Sequence, residues 1–302
     1  MTRHVLALDI GGTKVAAALV DPGGRLTQVR QRPTPHGGAE VLWGTVAGLL
    51  TETLRDADGA VEAVGVASAG PLDLPAGTVS PINIGAWTRF PLVGRVAELT
   101  GLPVRLGGDG TCMALGESQH GAGRGARFML GMVVSTGIGG GLVLDGAPCH
   151  GRTGNAGHVG HVVVDPGGAP CTCGGRGCVE TIASGPNLVR WARAQGWRGT
   201  QNTDAKALAA AARRGDDVAV RAFRRGADAL AAAIASAAAV CDLDLVVIGG
   251  GVAGAGPVLF DPLREALDTY AGLDFLRNLR VVTAELGGDA GLVGAAALAW
   301  GP

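Results

Sequence analysis

Apolar positions along the chain fall into two rhythms, and their alternation predicts a mixed α/β protein. Short apolar runs bounded by glycine or polar turns read as strands at residues 5–8, 15–20, 25–30, 61–67, 104–106, 128–134, 142–144, 243–248 and 280–283. Residues 40–55 carry Val41, Leu42, Val46, Leu49, Leu50 and Leu54 at helical spacing. Further helices are expected at 92–99, 186–195, 204–214, 216–240, 257–270 and 289–300, with an irregular Gly/Cys/His stretch over 151–185. The alanine run 227–240 contains Asp228 and Ser236 and falls short of the ~20 residues a bilayer requires. It reads as a buried helix, because alanine has the best helix propensity.

Two predicted hairpins share a turn chemistry. The first turn is Asp9-Ile10-Gly11-Gly12-Thr13-Lys14, and Ser135-Thr136-Gly137-Ile138-Gly139-Gly140-Gly141 repeats the glycine-plus-hydroxyl pattern in the second half. This weak duplication predicts two similarly built lobes. The expected division is an N-terminal lobe over 1–115, with the C-terminal helix 289–302 packing back on it, and a C-terminal lobe over 116–288.

Composition narrows the class. A length of 302 residues with 47% hydrophobic and 17% charged residues supports a sizeable core rather than disorder. A net charge of -1 argues against a nucleic-acid or anionic-membrane surface. The apolar run at 5–8 is too short for a signal segment, so a cytoplasmic protein is expected. Six cysteines in a reducing compartment then argue against a disulfide framework. Glycine is the outlier, at 53 residues with no collagen period, so its positions carry the information.

Paired glycines at Gly11 and Gly12 let backbone amides approach an anion, while Thr13 adds a hydroxyl and Lys14 a cation. Asp9, at the strand end, is suited to hold Mg²⁺ through water. A plain hairpin turn would need only the glycines. Thr136, Gly137, Gly139 and Gly140 supply a matching set, and two such hairpins would clamp a polyphosphate. Gly249-Gly250-Gly251 would let a flat base or ribose lie against the backbone. Gly249, Gly251 and Gly254 also satisfy the dinucleotide fingerprint, with Glu265 near its acidic position, but too little chain follows for a doubly wound domain. Cys171, Cys173 and Cys178 lie in one glycine-rich loop with His161 upstream, a Cys₃His set for closed, structural zinc. A Cys171–Cys173 disulfide would be strained. Cys112, Cys149 and Cys241 read as small buried hydrophobes. Asn155, His158, His161 and Glu180 surround the loop. Asp109 is either the N-cap of a helix over 112–119 or a general base at a strand's carboxyl end, and composition favours the cap.

Together these motifs resemble the ROK family (repressors, uncharacterised frames and sugar kinases) along essentially the whole chain. The matching segments are DIGGTK, Asp109 with Ala114-Leu115-Gly116-Glu117, Ser135 to Gly141, Gly157-His158-Val159-Gly160-His161, Cys171 to Cys178 with Glu180, Ile248 to Val252 and Ala290 to Ala296. The resemblance implies an actin-like ATPase (ribonuclease H-like) fold, two lobes with an interlobe cleft, and lobe closure on the sugar. It implies ATP- and Mg²⁺-dependent phosphorylation of a hexose 6-hydroxyl. Asp109 would be the catalytic base, with Asn83, Asn155, His158, His161 and Glu180 on the sugar side and His161, Cys171, Cys173 and Cys178 on zinc. ATP would lie on Asp9, Gly11, Gly12, Thr13, Lys14, Thr136, Gly137, Gly139, Gly140, Gly249, Gly250 and Gly251. Family repressors carry a helix-turn-helix before the first hairpin, and the position of Asp9 leaves no room for one, so DNA binding is not expected. A homo-oligomer, dimer or tetramer, is expected.

Two positions depart from the common family pattern. Gly108 stands where most family kinases have asparagine, and His158 stands where most of its glucokinases have glutamate. Asn155-Ala156-Gly157-His158-Val159-Gly160-His161 looks like the N-acetylmannosamine kinase branch. A non-catalytic sugar-sensing regulator is the reading of another class that Gly108 keeps open.

Overall fold

The computed structural model describes residues 3–199 and 203–301. The chain divides into two compact units, one of residues 1–125, 141–157 and 285–302, the other of 126–140 and 158–284. The sequence reading set its boundary at 115/116 and extended the last helix to 302. The helix seen is α9 (Ala290–Trp300), and Pro302 lies outside the described residues.

Apolar runs become the strands of two five-stranded sheets. The first has β1 (Arg3–Ile10), β2 (Lys14–Val20), β3 (Leu26–Pro33), β4 (Ala60–Ser68) and β7 (Val104–Gly108), in the order β3-β2-β1-β4-β7. The second has β8 (Phe128–Val134), β9 (Ile138–Leu144), β10 (Ala147–Cys149), β11 (Leu245–Gly249) and β12 (Arg280–Thr283), in the order β10-β9-β8-β11-β12. Each sheet therefore runs third, second, first, fourth and fifth strand. The glycine-turn repeat in the sequence is the visible trace of this duplicated topology. Two short strands, β5 (Leu72–Asp73) and β6 (Thr78–Val79), pair separately. They and β10 are too short to carry a periodicity.

The first sheet is covered on both faces, which is why β1 reads as a continuous apolar run rather than an alternating one. On one face Leu6, Leu8, Val64 and Val66 pack with Leu42, Val46 and Leu49 of α1 (Ala39–Arg55) and with Leu92 and Val96 of α2 (Leu92–Thr100). The other face is built of small residues, Val5, Ala7, Ala63 and Ala67, which pack with Leu292, Ala295 and Ala296 of α9. Here glycine permits contact between backbones. A Cβ on Gly65 of β4 would lie 1.8 Å from the Ala295 carbonyl oxygen. One on Gly294 would lie 1.6 Å from the Cys112 carbonyl oxygen of α3 (Asp109–His120).

In the second unit α7 (Asp217–Cys241) carries the alanine run and packs on α8 (Pro257–Tyr270). Asp216 caps α7 by accepting the Ala219 N–H at 2.9 Å. Asp204 does the same for α6 (Ala205–Arg213) through Ala207 at 3.0 Å. Helix α5 (Gly185–Ala194) precedes them. Among the described residues no helix is long and apolar enough to cross a membrane.

Gly294→Ala forces a methyl into a carbonyl that cannot move independently. It should destabilise the protein by about 3 kcal/mol, at or beyond the usual overpacking range. Gly254→Ala meets nothing within 4 Å and has an ordinary φ. Thermal denaturation should show a depressed midpoint for the first variant and a wild-type midpoint for the second.

Candidate active site

Parallel register brings two carboxylates to one edge of the first sheet. Asp9 sits opposite Ala67 of β4, Ser68 pairs with Gly108 at the end of β7, and Asp109 follows as the first residue of α3. Burial and then the negative charge of Asp109 push the Asp9 carboxyl up from 3.8 to about 6, against the pull of Lys14. Two mutually repelling carboxylates with one lysine form a donor set that a divalent cation would relieve, so these residues fit Mg²⁺. The first turn of α9 closes on the same place, since a Cβ on Gly291 would lie 2.7 Å from Asp9 Oδ2.

The capping role favoured for Asp109 is corrected. Gly108 holds the N-cap position and no side chain caps the helix. Asp109 Oδ1 instead accepts the N–H of its neighbour Gly110 at 2.7 Å. The helix begins earlier than its apolar pattern indicates because its first turn rests on glycine. A Cβ on Gly141 of β9 would come within 2.4 Å of Thr111 Cα.

In the first hairpin, Gly11 N–H donates to the Lys14 carbonyl at 3.0 Å and Thr34 N–H to the Thr13 carbonyl at 3.0 Å, so these bonds shape the turn. Lys14 begins β2. Asn83 lies over Gly12, where a Cβ would meet its Nδ2 at 2.8 Å. Asn155, in the same unit, holds β5 by accepting the Leu72 N–H at 2.9 Å and donating to the Leu72 carbonyl at 2.8 Å. His158, His161 and Glu180 belong to the other unit.

Glu117 was not assigned a role from the sequence. It is fully buried on α3, where its carboxylate accepts backbone N–H groups of Ala122 at 2.9 Å, Glu285 at 3.1 Å and Leu286 at 2.8 Å. These bonds tie the segment before α9 to α3. The available signal was a carboxylate among small and apolar neighbours on one helix.

In the second unit, Gly139 and Gly140 belong to β9 rather than to the turn, which tightens to residues 135–137. Ser135 N–H donates to the Gly137 carbonyl at 2.9 Å. Glycines at the end of β11 and just after it approach this hairpin. Gly249 pairs with Val133, and a Cβ on Gly250 would meet the Val134 carbonyl oxygen at 2.5 Å. Gly250 also takes a φ of +91°, which favours glycine. Next to them a cavity of about 760 Å³ is lined by Ser135, Thr136, Gly251 and Val252, and by residues of α5 and α6 including Val189, Arg190 and Lys206. The helical wall of this cavity was invisible in the sequence, because helix-to-helix approach carries no motif.

Nδ1 or Nε2 of His161 and the Sγ atoms of Cys171, Cys173 and Cys178 lie within 4.8 Å of one another. Cys171 Sγ is 3.7 Å from His161 Nδ1, and Cys173 Sγ is 3.8 Å from Cys178 Sγ. A tetrahedral zinc holds sulfur and nitrogen ligands about 3.5–3.8 Å apart, so the donor set fits zinc in chemistry, and these two pairs have its spacing. Burial and the neighbouring thiols push the Cys178 thiol up to about 12, while the Gly175 N–H lowers that of Cys173. The loop stands on β9. A short 3₁₀ turn (Val159–His161) carries Gly160, whose Cβ would lie 1.9 Å from the Ile138 carbonyl oxygen. Glu180, heading the short helix α4 (Glu180–Ala183), accepts the Ile138 N–H through Oε2 at 2.7 Å. The His158 and His161 rings lie 6.3 Å apart between centroids.

The model of the ROK family matches residues 5–301. The chain belongs to the ROK family. An N-acetylmannosamine kinase of Citrobacter koseri is 39% identical over 297 residues, 98% of each chain. A glucokinase of Thermotoga maritima is 37% identical over 311 residues, 97% of this chain and 96% of its own. The crystal structure of a ROK hexokinase from Thermus thermophilus superposes with a TM-score of 0.88 at 38% identity, covering 98% of each chain. The fold is the α/β, actin-like ATPase fold of ROK sugar kinases.

Two measurements check this geometry. Elemental analysis should find one zinc per chain, lost in Cys178→Ser. The raised Asp9 pKa stabilises the ligand-free protein below pH 3.8, and that stability is lost as pH rises through about 6. Denaturant unfolding should show stability falling across this window relative to Asp9→Asn, in which the fall should be absent.

Proposed function

We propose that this ROK protein is an ATP-dependent kinase that phosphorylates the 6-hydroxyl of a hexose or N-acylhexosamine, with N-acetylmannosamine the leading substrate. The observation that carries this choice is His158, placed beside His161 on the turn that leads into the metal loop. Glutamate at that position only accepts hydrogen bonds, whereas imidazole can donate one to an acetamido carbonyl. Relatives named N-acetylmannosamine kinase support the reading.

Each residue then has a role that its position supports. Asp109, at the carboxyl edge of the first sheet, accepts the proton of the 6-hydroxyl as that oxygen attacks the γ-phosphorus, whose bond to the β,γ-bridging oxygen breaks to release ADP. Asp9 would hold Mg²⁺, which neutralises phosphate charge when bound. Lys14, Thr13 and the glycines of both hairpins orient the phosphates, and phosphoryl transfer needs such positioning more than covalent chemistry. The cavity bounded by Thr136 and Gly251 takes the nucleoside. Asn83, His158, His161 and Glu180 bind sugar hydroxyls and the 2-substituent, and Asn155 shapes the sugar side through its bonds to Leu72. Zinc would hold His161 in place. The protein acts in the cytoplasm as a homo-oligomer. A glucokinase is the second reading, favoured by the Thermotoga maritima relative of comparable identity.

The test is ADP release with Mg-ATP against N-acetylmannosamine, N-acetylglucosamine, glucose, mannose, fructose and allose. The expected result is highest kcat/KM on N-acetylmannosamine and loss of about 10³-fold or more in Asp109→Ala, the scale of general-base catalysis with positioning. His158→Glu should shift the preference towards glucose by about tenfold, the worth of one polar contact. Glucose far ahead in the wild type overturns the substrate assignment. Silence on every sugar from folded, zinc-loaded protein favours a non-catalytic sensor.

A further inference from the structure

Glu180 touches more than the sugar side. We infer that its carboxylate also positions the second glycine hairpin, so that one side chain couples sugar binding to nucleotide binding. The inference rests on the kinase reading above and concerns a contact which that reading does not use.

Ile138, where the hairpin becomes β9, is gripped from two sides. Its N–H donates to Glu180 Oε2 at 2.7 Å, and its carbonyl is pressed by Gly160, where no Cβ would fit. Both gripping residues adjoin the metal donors. Gly160 precedes His161, and Glu180 stands two residues beyond Cys178. On its other side the hairpin walls the cavity through Ser135 and Thr136, and the Ser135 carbonyl accepts the Gly185 N–H of α5 at 2.8 Å. Residues 135–138 thus lie between the metal loop and the cavity.

A bond from a buried amide to a carboxylate is strong, and deleting the acceptor leaves the Ile138 N–H without its partner. Glutamine retains an acceptor oxygen while removing the charge. A sugar hydroxyl bound to the other carboxylate oxygen would restrain the same side chain, which binds the two ligands to one element.

The experiment is titration calorimetry on zinc-loaded protein with Mg-ADP in the absence of sugar, and separately with the panel's best sugar in the absence of nucleotide. Bound zinc is measured in every variant. Glu180→Ala should weaken Mg-ADP about tenfold, the worth of one charge-assisted bond. Glu180→Gln should hold Mg-ADP within about threefold of wild type, because the acceptor remains without its charge, yet weaken the sugar as Glu180→Ala does. Unchanged Mg-ADP affinity in Glu180→Ala overturns the inference, as does failure of the glutamine to rescue it with zinc retained. Absence of Mg-ADP binding by the wild type would sink the kinase reading instead.

Gly137→Ala approaches the contact from the other side, since its Cβ would lie 2.7 Å from Glu180 Oε2 and displace the carboxylate. It should weaken the sugar titrated alone by about threefold or more, part of the worth of that bond. Wild-type sugar affinity in that variant also overturns the inference, including where Glu180→Ala fails to fold.

Discussion

Backbone meets backbone where α9 crosses β4 and α3. Gly65 and Gly294 stand at the crossings, each within van der Waals reach of a carbonyl. At this separation no side chain fits at the crossings, so the helix is held by close packing at a distance that only glycine permits there. The first turn of α9 is carried to Asp9 as a consequence, and Glu117 secures the approach by collecting three backbone amides. Bulk would separate the layers and withdraw α9 from the acidic edge.

That edge owes its chemistry to register. Parallel strands β1, β4 and β7 end level with one another, so carboxylates a hundred residues apart in the chain, Asp9 and Asp109, share one field. Burial, and then the charge of Asp109, raises the Asp9 pKa, and a cation would relieve the pair. Apolar residues at that place would cost less than two acids kept together.

The second unit uses another device. Three thiols and an imidazole converge around a glycine-rich loop, where a bound metal would tie the chain together. Gly160 and Glu180, which flank the loop, both meet Ile138 at the end of the glycine hairpin. The glycines at 249–251 approach the same hairpin from β11, so its conformation is set by neighbours as well as by its own turn.

Much of this was legible in the amino-acid order because the relevant signals are local. Strand and helix periods, the two glycine turns and the Cys₃His spacing each lie within a few dozen residues, and the turn repeat announced a duplicated topology. The helix start at Asp109, the tighter second turn, the cavity wall of α5 and α6 and the anchoring by Glu117 were decided by tertiary contacts. Each depends on what a residue meets across the fold. Gly141 under Thr111 begins a helix early, Leu286 gives a buried glutamate its partner, and two strand ends in register bring Asp9 to Asp109. Periodicity and motif record what a residue is and who its chain neighbours are. Burial, charge pairing and backbone proximity are properties of the assembled layers, and only the tertiary structure could settle them.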